Sequence, residues 1–131
     1  MREGSILVAS NEVSVARALR LTLSAKGYKV TTAESVTEAV DLSETGKHDL
    51  ILLDNDGLAA ALEACRQIRA RSDMAIIIMS SDNSEDKRAR AIRAGADGHI
   101  AKPFGVADIF AVVCASARTG RVAADPEVLV S

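Results

Sequence analysis

The apolar residues of this chain fall into short runs that alternate with longer stretches of helical spacing. Five short runs predict strands, because each is too short to form a helix. These runs are residues 6–9, 28–32, 49–53, 74–79 and 98–101. Five longer stretches carry apolar residues three or four positions apart and predict helices with one buried face. These stretches are residues 13–26, 35–46, 58–68, 84–95 and 106–118.

Polar residues and glycines at the predicted helix ends agree with this pattern. Ser35 stands three residues before Glu38, which is the spacing of a capping box at a helix N-terminus. Ser84 precedes a charged stretch and is also a good helix cap. Gly27 and Gly95 stand where two helices should end, because glycine readily adopts the left-handed conformation of a C-terminal cap.

The regular alternation of strands and helices predicts a single doubly wound α/β domain. Parallel strands need crossover connections of about a dozen residues, and the predicted helices supply connections of that length. In such open sheets, ligands bind at the carboxyl ends of the strands. The side chains that follow the strands are therefore the candidates for function.

Composition narrows the function classes further. The chain has 131 residues and a formal net charge of −2, so it has no basic field that would favour nucleic acid. Aromatic residues make up 2% of the chain, too few to stack on single-stranded bases. No apolar run is long enough for a membrane span or a signal sequence, and Cys65 and Cys114 lack metal or redox spacing. We therefore expect a cytoplasmic protein with reduced thiols and no membrane contact.

Three polar side chains at the predicted carboxyl ends suit phosphoryl transfer. Asp54 ends the third strand, Ser80 follows the fourth, and Lys102 follows the fifth. A carboxylate can act as the nucleophile, while a hydroxyl and an ammonium group can contact phosphoryl oxygens. No glycine-rich phosphate loop follows the first strand, which argues against dinucleotide-binding and P-loop folds. The sequence also lacks a Gly-x-Ser-x-Gly turn, which argues against an α/β-hydrolase.

With these residues identified, the sequence resembles a response-regulator receiver domain over about residues 5–118. The resemblance lies in the segments ILVASNE, DLILLDND, AIIIMSSDNSED and AIRAGADGHIAKPF, and it is closest to the receivers of winged-helix transcription factors. It implies a flavodoxin-like (βα)5 fold with strand order 2-1-3-4-5. It also implies that Asp54 accepts a phosphoryl group from a sensor histidine kinase, with Ser80 as the switch hydroxyl and Lys102 as the phosphate-binding lysine. The Lys102–Pro103 bond is expected to be cis.

The acidic pocket of the family is altered in this chain. The two acidic residues that follow the first strand in the family and hold Mg²⁺ are replaced by Ser10 and Asn11. Mg²⁺ prefers charged oxygen ligands, so we expect a weak or absent site formed by Asn11, Asp54 and Asp56. Asn11 and Asp56 each have a second interpretation as helix N-caps. The sequence leaves open whether Glu12 or Asp56 rebuilds the metal site.

The resemblance also implies an output surface. In the family, the fourth helix, fifth strand and fifth helix form a common homodimer face, and the fifth helix here is more apolar than one buried stripe requires. His99 lies in this strand at the position of the family's switch aromatic residue, so its protonation between about pH 6 and 7 is expected to shift dimerisation. In the strand order 2-1-3-4-5, Cys65 and Cys114 lie on opposite faces of the sheet and cannot form a disulfide.

Two functions remain open from the sequence. The first is a phosphorylatable signalling switch, which is not an enzyme beyond its own phosphoryl transfer and dephosphorylation. Its receiver domain would span residues 1–118, residues 119–131 would be a linker or tail, and DNA would be contacted only through a missing output domain. The alternative is a pseudo-receiver, an interaction module that acts without phosphorylation because the metal-binding acidic pair is Ser10 and Asn11.

Overall fold

The computed structural model describes residues 4–56, 60–82 and 84–118, with the side chains of these residues except at 106 and 114–118. Within these ranges, five strands and five helices alternate. The strands are β1 (Ser5–Ala9), β2 (Lys29–Ala33), β3 (Leu50–Asp54), β4 (Ala75–Ser80) and β5 (Gly98–Ala101). The helices are α1 (Val13–Ser24), α2 (Val36–Ser43), α3 (Ala61–Arg71), α4 (Glu85–Arg93) and α5 (Val106–Arg118). None of the helices in the described ranges has both the length and the apolar character to cross a membrane.

The five strands form one parallel sheet in the order β2-β1-β3-β4-β5, which confirms the predicted fold class. β3 is the central strand and all of its residues are buried, as its unbroken apolar run predicts for a strand covered on both faces. This arrangement places the end of β3 between the ends of β1 and β4, where the candidate residues meet.

Several predicted helix boundaries are wrong, since α2 ends at Ser43 rather than at residue 46 and α3 extends to Arg71 rather than to residue 68. The first helix ends at Ser24 rather than at residue 26, because the N–H groups of Lys26 and Gly27 bond back over three residues and form a tighter turn. The third helix begins at Ala61 rather than at residue 58, after Ala60 in a left-handed conformation with φ of 63°. The predicted start falls on residues 57–59, which lie outside the described ranges.

The serine caps stand where the sequence predicts them. Ser35 accepts a hydrogen bond from the N–H of Glu38 at 3.1 Å, and Ser84 accepts one from the N–H of Lys87 at 3.3 Å. The Glu38 carboxylate accepts a hydrogen bond from the N–H of Glu34 at 2.9 Å, one residue before the position expected for a capping box. Both helices are therefore fixed at the end that faces the carboxyl edge of the sheet.

Two hydrophobic clusters separate the helices onto the two faces of the sheet. On one face α2, α3 and α4 contribute residues such as Val40, Ile68 and Ala91. On the other face α1 and α5 contribute Leu23 and Ile109. Because the chain has few aromatic residues, its core consists mainly of aliphatic side chains. Their burial is the main contribution that stabilises the fold.

The helices that carry the two cysteines lie on opposite faces of the sheet, as the strand order predicts. Cys65 in α3 is a buried free thiol, and burial raises its pKa to about 11. The side chain of Cys114 in α5 lies outside the described part of the chain. The separation of α3 and α5 agrees with the prediction that these residues form no disulfide.

A cluster around Arg69 joins the end of α3 to the turn between α4 and β5. The guanidinium of Arg69 donates from Nε to the Gly95 carbonyl at 2.9 Å and from Nη2 to Asp97 Oδ2 at 2.6 Å. The same Asp97 oxygen accepts from the N–H of Ile76 at 2.8 Å, which fixes the start of β4. We call these four residues the Arg69 clamp; it lies at the edge of the sheet opposite the candidate site.

Candidate functional site

The candidate site is built around Asp54, the last residue of the central strand. Its side chain is fully buried. The backbone on both sides is fixed, because the N–H of Asn55 bonds to the Met79 carbonyl at 2.8 Å and the N–H of Lys102 bonds to the Ser80 carbonyl at 2.9 Å. These ladder bonds bring the ends of β3, β4 and β5 to one edge, as the parallel topology requires.

Both carboxylate oxygens of Asp54 accept hydrogen bonds. Oδ1 accepts from Lys102 Nζ at 2.7 Å and from the N–H of Asp56 at 3.1 Å. Oδ2 accepts from the hydroxyl of Ser10 at 2.7 Å. A buried carboxylate needs such donors, since burying a charge without partners is strongly unfavourable. The two oxygens therefore have different surroundings, one beside a positive charge and one beside a neutral hydroxyl.

Lys102 lies among three carboxylates. Its Nζ atom is 2.7 Å from Asp54 Oδ1, 3.3 Å from Asp56 Oδ2 and 3.5 Å from Glu12 Oε1, and its side chain is 14% exposed. Burial alone lowers the pKa of this ammonium group, but the hydrogen bond and charge of Asp54, and then of Asp56, outweigh that effect and raise the pKa above its usual value. The following Lys102–Pro103 bond is cis, as the resemblance implies.

Asp56 connects the acceptor to β4 instead of capping a helix. Its carboxylate accepts the N–H of Ser81 at 2.9 Å and the hydroxyl of Ser80 at 3.4 Å. Burial raises the pKa of this carboxyl, but the Ser81 N–H and Lys102 outweigh burial and bring the pKa below its usual value. The capping interpretation of Asp56 is wrong, because the residue at the cap position of α3 is Ala60 and it makes no side-chain cap bond.

The predicted hydroxyl of Ser80 is buried and already engaged. Its oxygen accepts the N–H of Asp82 at 3.1 Å while it donates to Asp56. The structure therefore brings Asp54 and Lys102 into direct contact and joins Ser80 to them through Asp56.

Sequence reasoning missed the contribution of Ser10 to the site. Ser10 reaches Asp54 because Ala9 pairs with Leu53, and the next residues along the two strands are Ser10 and Asp54.

Asn11 is exposed and does not join this cluster through any hydrogen bond described for it. The capping interpretation of Asn11 is wrong as well, since the cap position of α1 is occupied by Glu12, which makes no side-chain cap bond. The metal-ligand interpretation of Asn11 remains a prediction.

The charged groups at this edge of the sheet include both oxygen ligands for Mg²⁺ and a cation that competes for them. Among the described residues, no group of three or more His, Cys, Asp or Glu side chains is arranged to hold a metal ion. The Lys102 ammonium contacts the carboxylates of Asp54 and Asp56 and offsets part of their negative charge, and Ser10 donates a neutral hydroxyl to Asp54. A divalent cation bound here would compete with that ammonium group for the carboxylate oxygens.

His99 lies in β5 on the side of the sheet covered by α4. Its ring is partly buried, and among the described residues neither ring nitrogen has a hydrogen-bond partner. Burial, and then the positive charge of Arg88, lower the pKa of His99 below its usual value, while Asp82 and Asp56 partly oppose this shift. The effect of His99 protonation on dimerisation stays a prediction.

An open groove of about 420 Å³ lies beside Lys102. Its walls come from α1 and from the segment that follows β5, and its surface is mainly apolar. The lining residues are Ser14, Val15, Ala18, Ser81, Lys102, Pro103 and Phe104. The groove therefore borders the candidate site at Lys102.

Comparisons with known proteins agree with this geometry. A model of the response regulator receiver domain matches residues 6–114. The transcriptional regulatory protein ResD of Bacillus subtilis (strain 168) is 36% identical over 107 residues, which are 78% of this chain and 43% of ResD. The chain thus spans less than half the length of that relative.

Two solved structures share the fold. A response regulator protein from Burkholderia pseudomallei, with a phosphorylated aspartic acid, a calcium ion and citrate, matches with a TM-score of 0.76 and 25% identity over 90% of this chain and 71% of that chain. The receiver domain of a sensor histidine kinase from Pseudomonas aeruginosa PAO1, with magnesium coordinated in its active-site cleft, matches with a TM-score of 0.75 and 26% identity over 85% and 94%. These matches give no support to the alternative of an interaction module that acts without phosphorylation.

Proposed function

This chain belongs to the response regulator receiver domain family, and since it is the receiver domain of a two-component response regulator, we propose that Asp54 is its phosphoryl acceptor. The observation that carries the proposal is the 2.7 Å contact between Lys102 Nζ and the fully buried Asp54 carboxylate at the end of the central strand. This ammonium group supplies positive charge where an incoming phosphoryl group brings negative charge. The phosphorylated aspartic acid of the Burkholderia pseudomallei protein supports the same chemistry.

In the proposed reaction, a carboxylate oxygen of Asp54 attacks the phosphorus atom of a phosphohistidine on a sensor histidine kinase. The oxygen–phosphorus bond forms as the nitrogen–phosphorus bond breaks, and the electron pair of the broken bond stays on the imidazole nitrogen. Lys102 neutralises one phosphoryl oxygen, and Ser80 donates its hydroxyl hydrogen to another. Attack by water on the phosphorus atom later releases phosphate and regenerates the carboxylate. The domain thus catalyses only its own phosphoryl transfer and dephosphorylation.

The groove beside Lys102 is the proposed entry for the phosphorylated imidazole. Its apolar wall from Val15, Ala18 and Phe104 suits a flat ring, while Lys102 at its end attracts the phosphoryl group. This placement brings the phosphorus atom to the Oδ1 side of Asp54, where the positive charge lies.

The output of the switch is proposed to pass through Asp56. When Lys102 and Ser80 turn to the phosphoryl group, Asp56 loses two partners, and its hold on the Ser81 N–H at the start of the segment leading to α4 changes. His99 lies within electrostatic reach of Arg88 on α4, so a shift of α4 alters its surroundings and gives it a switching role. The proposed partner surface is formed by α4, β5 and α5 and would support a homodimer.

Mg²⁺ is proposed to bind weakly at this site. Asp54, Asp56 and Asn11 offer oxygen atoms, but Lys102 competes for the two carboxylates. The whole protein is further proposed to regulate transcription, with DNA contacted only through a missing output domain, because ResD is a transcriptional regulatory protein. The receiver would extend over residues 1–118, and residues 119–131, which lie outside the described ranges, would be a linker or tail.

The proposal is tested by intact mass after incubation with acetyl phosphate. The wild-type chain should gain the mass of one phosphoryl group, and Asp54→Ala should not. Asp73→Ala, which removes an exposed carboxylate outside the site, is the matched control and should be labelled like the wild type. Labelling of Asp54→Ala at the wild-type rate would place the acceptor elsewhere and contradict the proposal.

A further inference from the structure

Ser10 holds the acceptor carboxylate from the side opposite Lys102. It follows β1 directly, is 2% exposed, and its backbone N–H is fixed by the Ala33 carbonyl at 3.0 Å. Its hydroxyl oxygen lies 2.7 Å from Asp54 Oδ2 and accepts the N–H of Glu12 at 3.0 Å. A hydroxyl has one hydrogen, and an ionised carboxylate can only accept, so the Ser10 hydrogen points at Asp54.

This hydroxyl changes the charge balance of the pocket. The side chains that face one another are the Lys102 ammonium and the carboxylates of Asp54, Asp56 and Glu12. Ser10 adds a hydrogen-bond donor to this set without adding negative charge. It therefore stabilises the Asp54 carboxylate without adding to the pocket's attraction for a divalent cation.

We propose that Ser10 is a positioning residue that stabilises Oδ2 of Asp54 in place of a metal ion and leaves Oδ1, beside Lys102, as the attacking oxygen. The acceptor then has much less need of Mg²⁺ than a pocket with a charged residue at this position. This inference rests on the proposed function of Asp54 as phosphoryl acceptor. The inference adds that the side chain of residue 10 determines how strongly phosphorylation of Asp54 depends on Mg²⁺.

Isothermal titration calorimetry with Mg²⁺ tests the charge argument without any reaction. Ser10→Asp adds a fourth carboxylate to the pocket and should bind Mg²⁺ at least about tenfold more tightly than the wild type, because cation affinity rises with the number of charged ligands. Ser24→Asp adds the same charge at the exposed far end of α1 and should match the wild type. Wild-type binding as tight as that of Ser10→Asp would overturn the inference. If Ser10→Asp does not fold, the labelling comparison of the wild type with Ser10→Ala tests the inference instead.

Labelling by acetyl phosphate tests the positioning argument. With EDTA in place of Mg²⁺, the wild type should keep at least about a tenth of the labelling rate that it has with Mg²⁺. Under the same metal-free conditions, Ser10→Ala should be labelled roughly tenfold more slowly than the wild type, because it lacks a charge-assisted hydrogen bond to the acceptor. Ser10→Asp should label only with Mg²⁺. Equal metal-free rates for the wild type and Ser10→Ala would overturn the positioning role. Absence of labelling in every variant, with or without Mg²⁺, would instead overturn the proposed function, while the calorimetric comparison would still test Ser10.

Discussion

Replacing Lys102 by methionine keeps most of the side-chain length and removes the charge that compensates the acidic pocket. Breaking a buried ion pair by removing one partner costs about 3–5 kcal/mol. Asp54 is fully buried, but Asp56 and Glu12 have 27% and 46% of their side chains exposed, so solvent screens part of the lost attraction. We therefore expect Lys102→Met to lower the free energy of unfolding by about 2–3 kcal/mol. For a domain of this size, that corresponds to a fall in Tm of roughly 10 °C.

A double-mutant cycle assigns this loss to the Asp54 contact. Asp54→Asn removes the buried charge with little change of shape, so it should restore about 2 kcal/mol in the Lys102→Met background. The assay is urea unfolding in EDTA, with Lys29→Met as the control for loss of an exposed lysine. The reasoning fails if Lys102→Met behaves like Lys29→Met, or if the coupling between residues 54 and 102 is below about 0.5 kcal/mol.

Three other predictions follow from the fold. Because the folded state lowers the pKa of His99, the unfolded chain takes up its proton first as pH falls below about 6.5, so stability should fall there. In thermal unfolding, the Tm of His99→Phe should fall less than that of the wild type as the pH is lowered. His48→Gln serves as a separate comparison, because burial also lowers the pKa of His48. Gly95→Ala should destabilise the chain by about 1–3 kcal/mol in urea unfolding, since φ is +108° and a Cβ would lie 2.8 Å from Arg69 Cγ; an unchanged midpoint would show that the clamp yields easily. Because Cys65 is buried and its pKa is raised, this thiol should not react with a disulfide reagent at neutral pH until urea unfolds the chain. Cys65→Ser serves as the reference for this reaction.

The fold was largely predictable because its signals are local. An unbroken apolar run such as residues 50–53 has no polar face to expose, so it predicts a covered central strand. The serine caps were predictable for a similar reason, since Ser35 and Ser84 bond to N–H groups three residues ahead. The start of α3 was not predictable, because it depends on a left-handed alanine that no propensity favours.

The sequence brought Asp54, Ser80 and Lys102 to one edge of the sheet, but it did not predict the contacts there, the contribution of Ser10 or the exposure of Asn11. The position of Asp54, Ser80 and Lys102 at strand ends was enough to bring them to one edge of the sheet. The direction of the Asp56 carboxylate depends on the Ser81 N–H, and that group belongs to a loop whose path the sequence pattern does not specify. The replacement of an acidic residue by Ser10 looked like a loss of function from sequence alone, and only the distance to Asp54 shows what the hydroxyl contributes.

The Arg69 clamp holds one end of α4, so that a movement of this helix should pivot about that end. Its C-terminal end leads into Gly95 and Asp97, which the clamp holds, whereas its N-terminal end follows the loop that begins at Ser81 beside Asp56. A fixed pivot at one end means that displacement grows toward the other, so we expect Lys87 to travel farther than Arg93 when the acceptor edge changes. Paired spin-label distances from each position to a label on α2 would measure the difference. A partner protein that distinguishes the two states of the domain would then discriminate best by binding the first turn of α4.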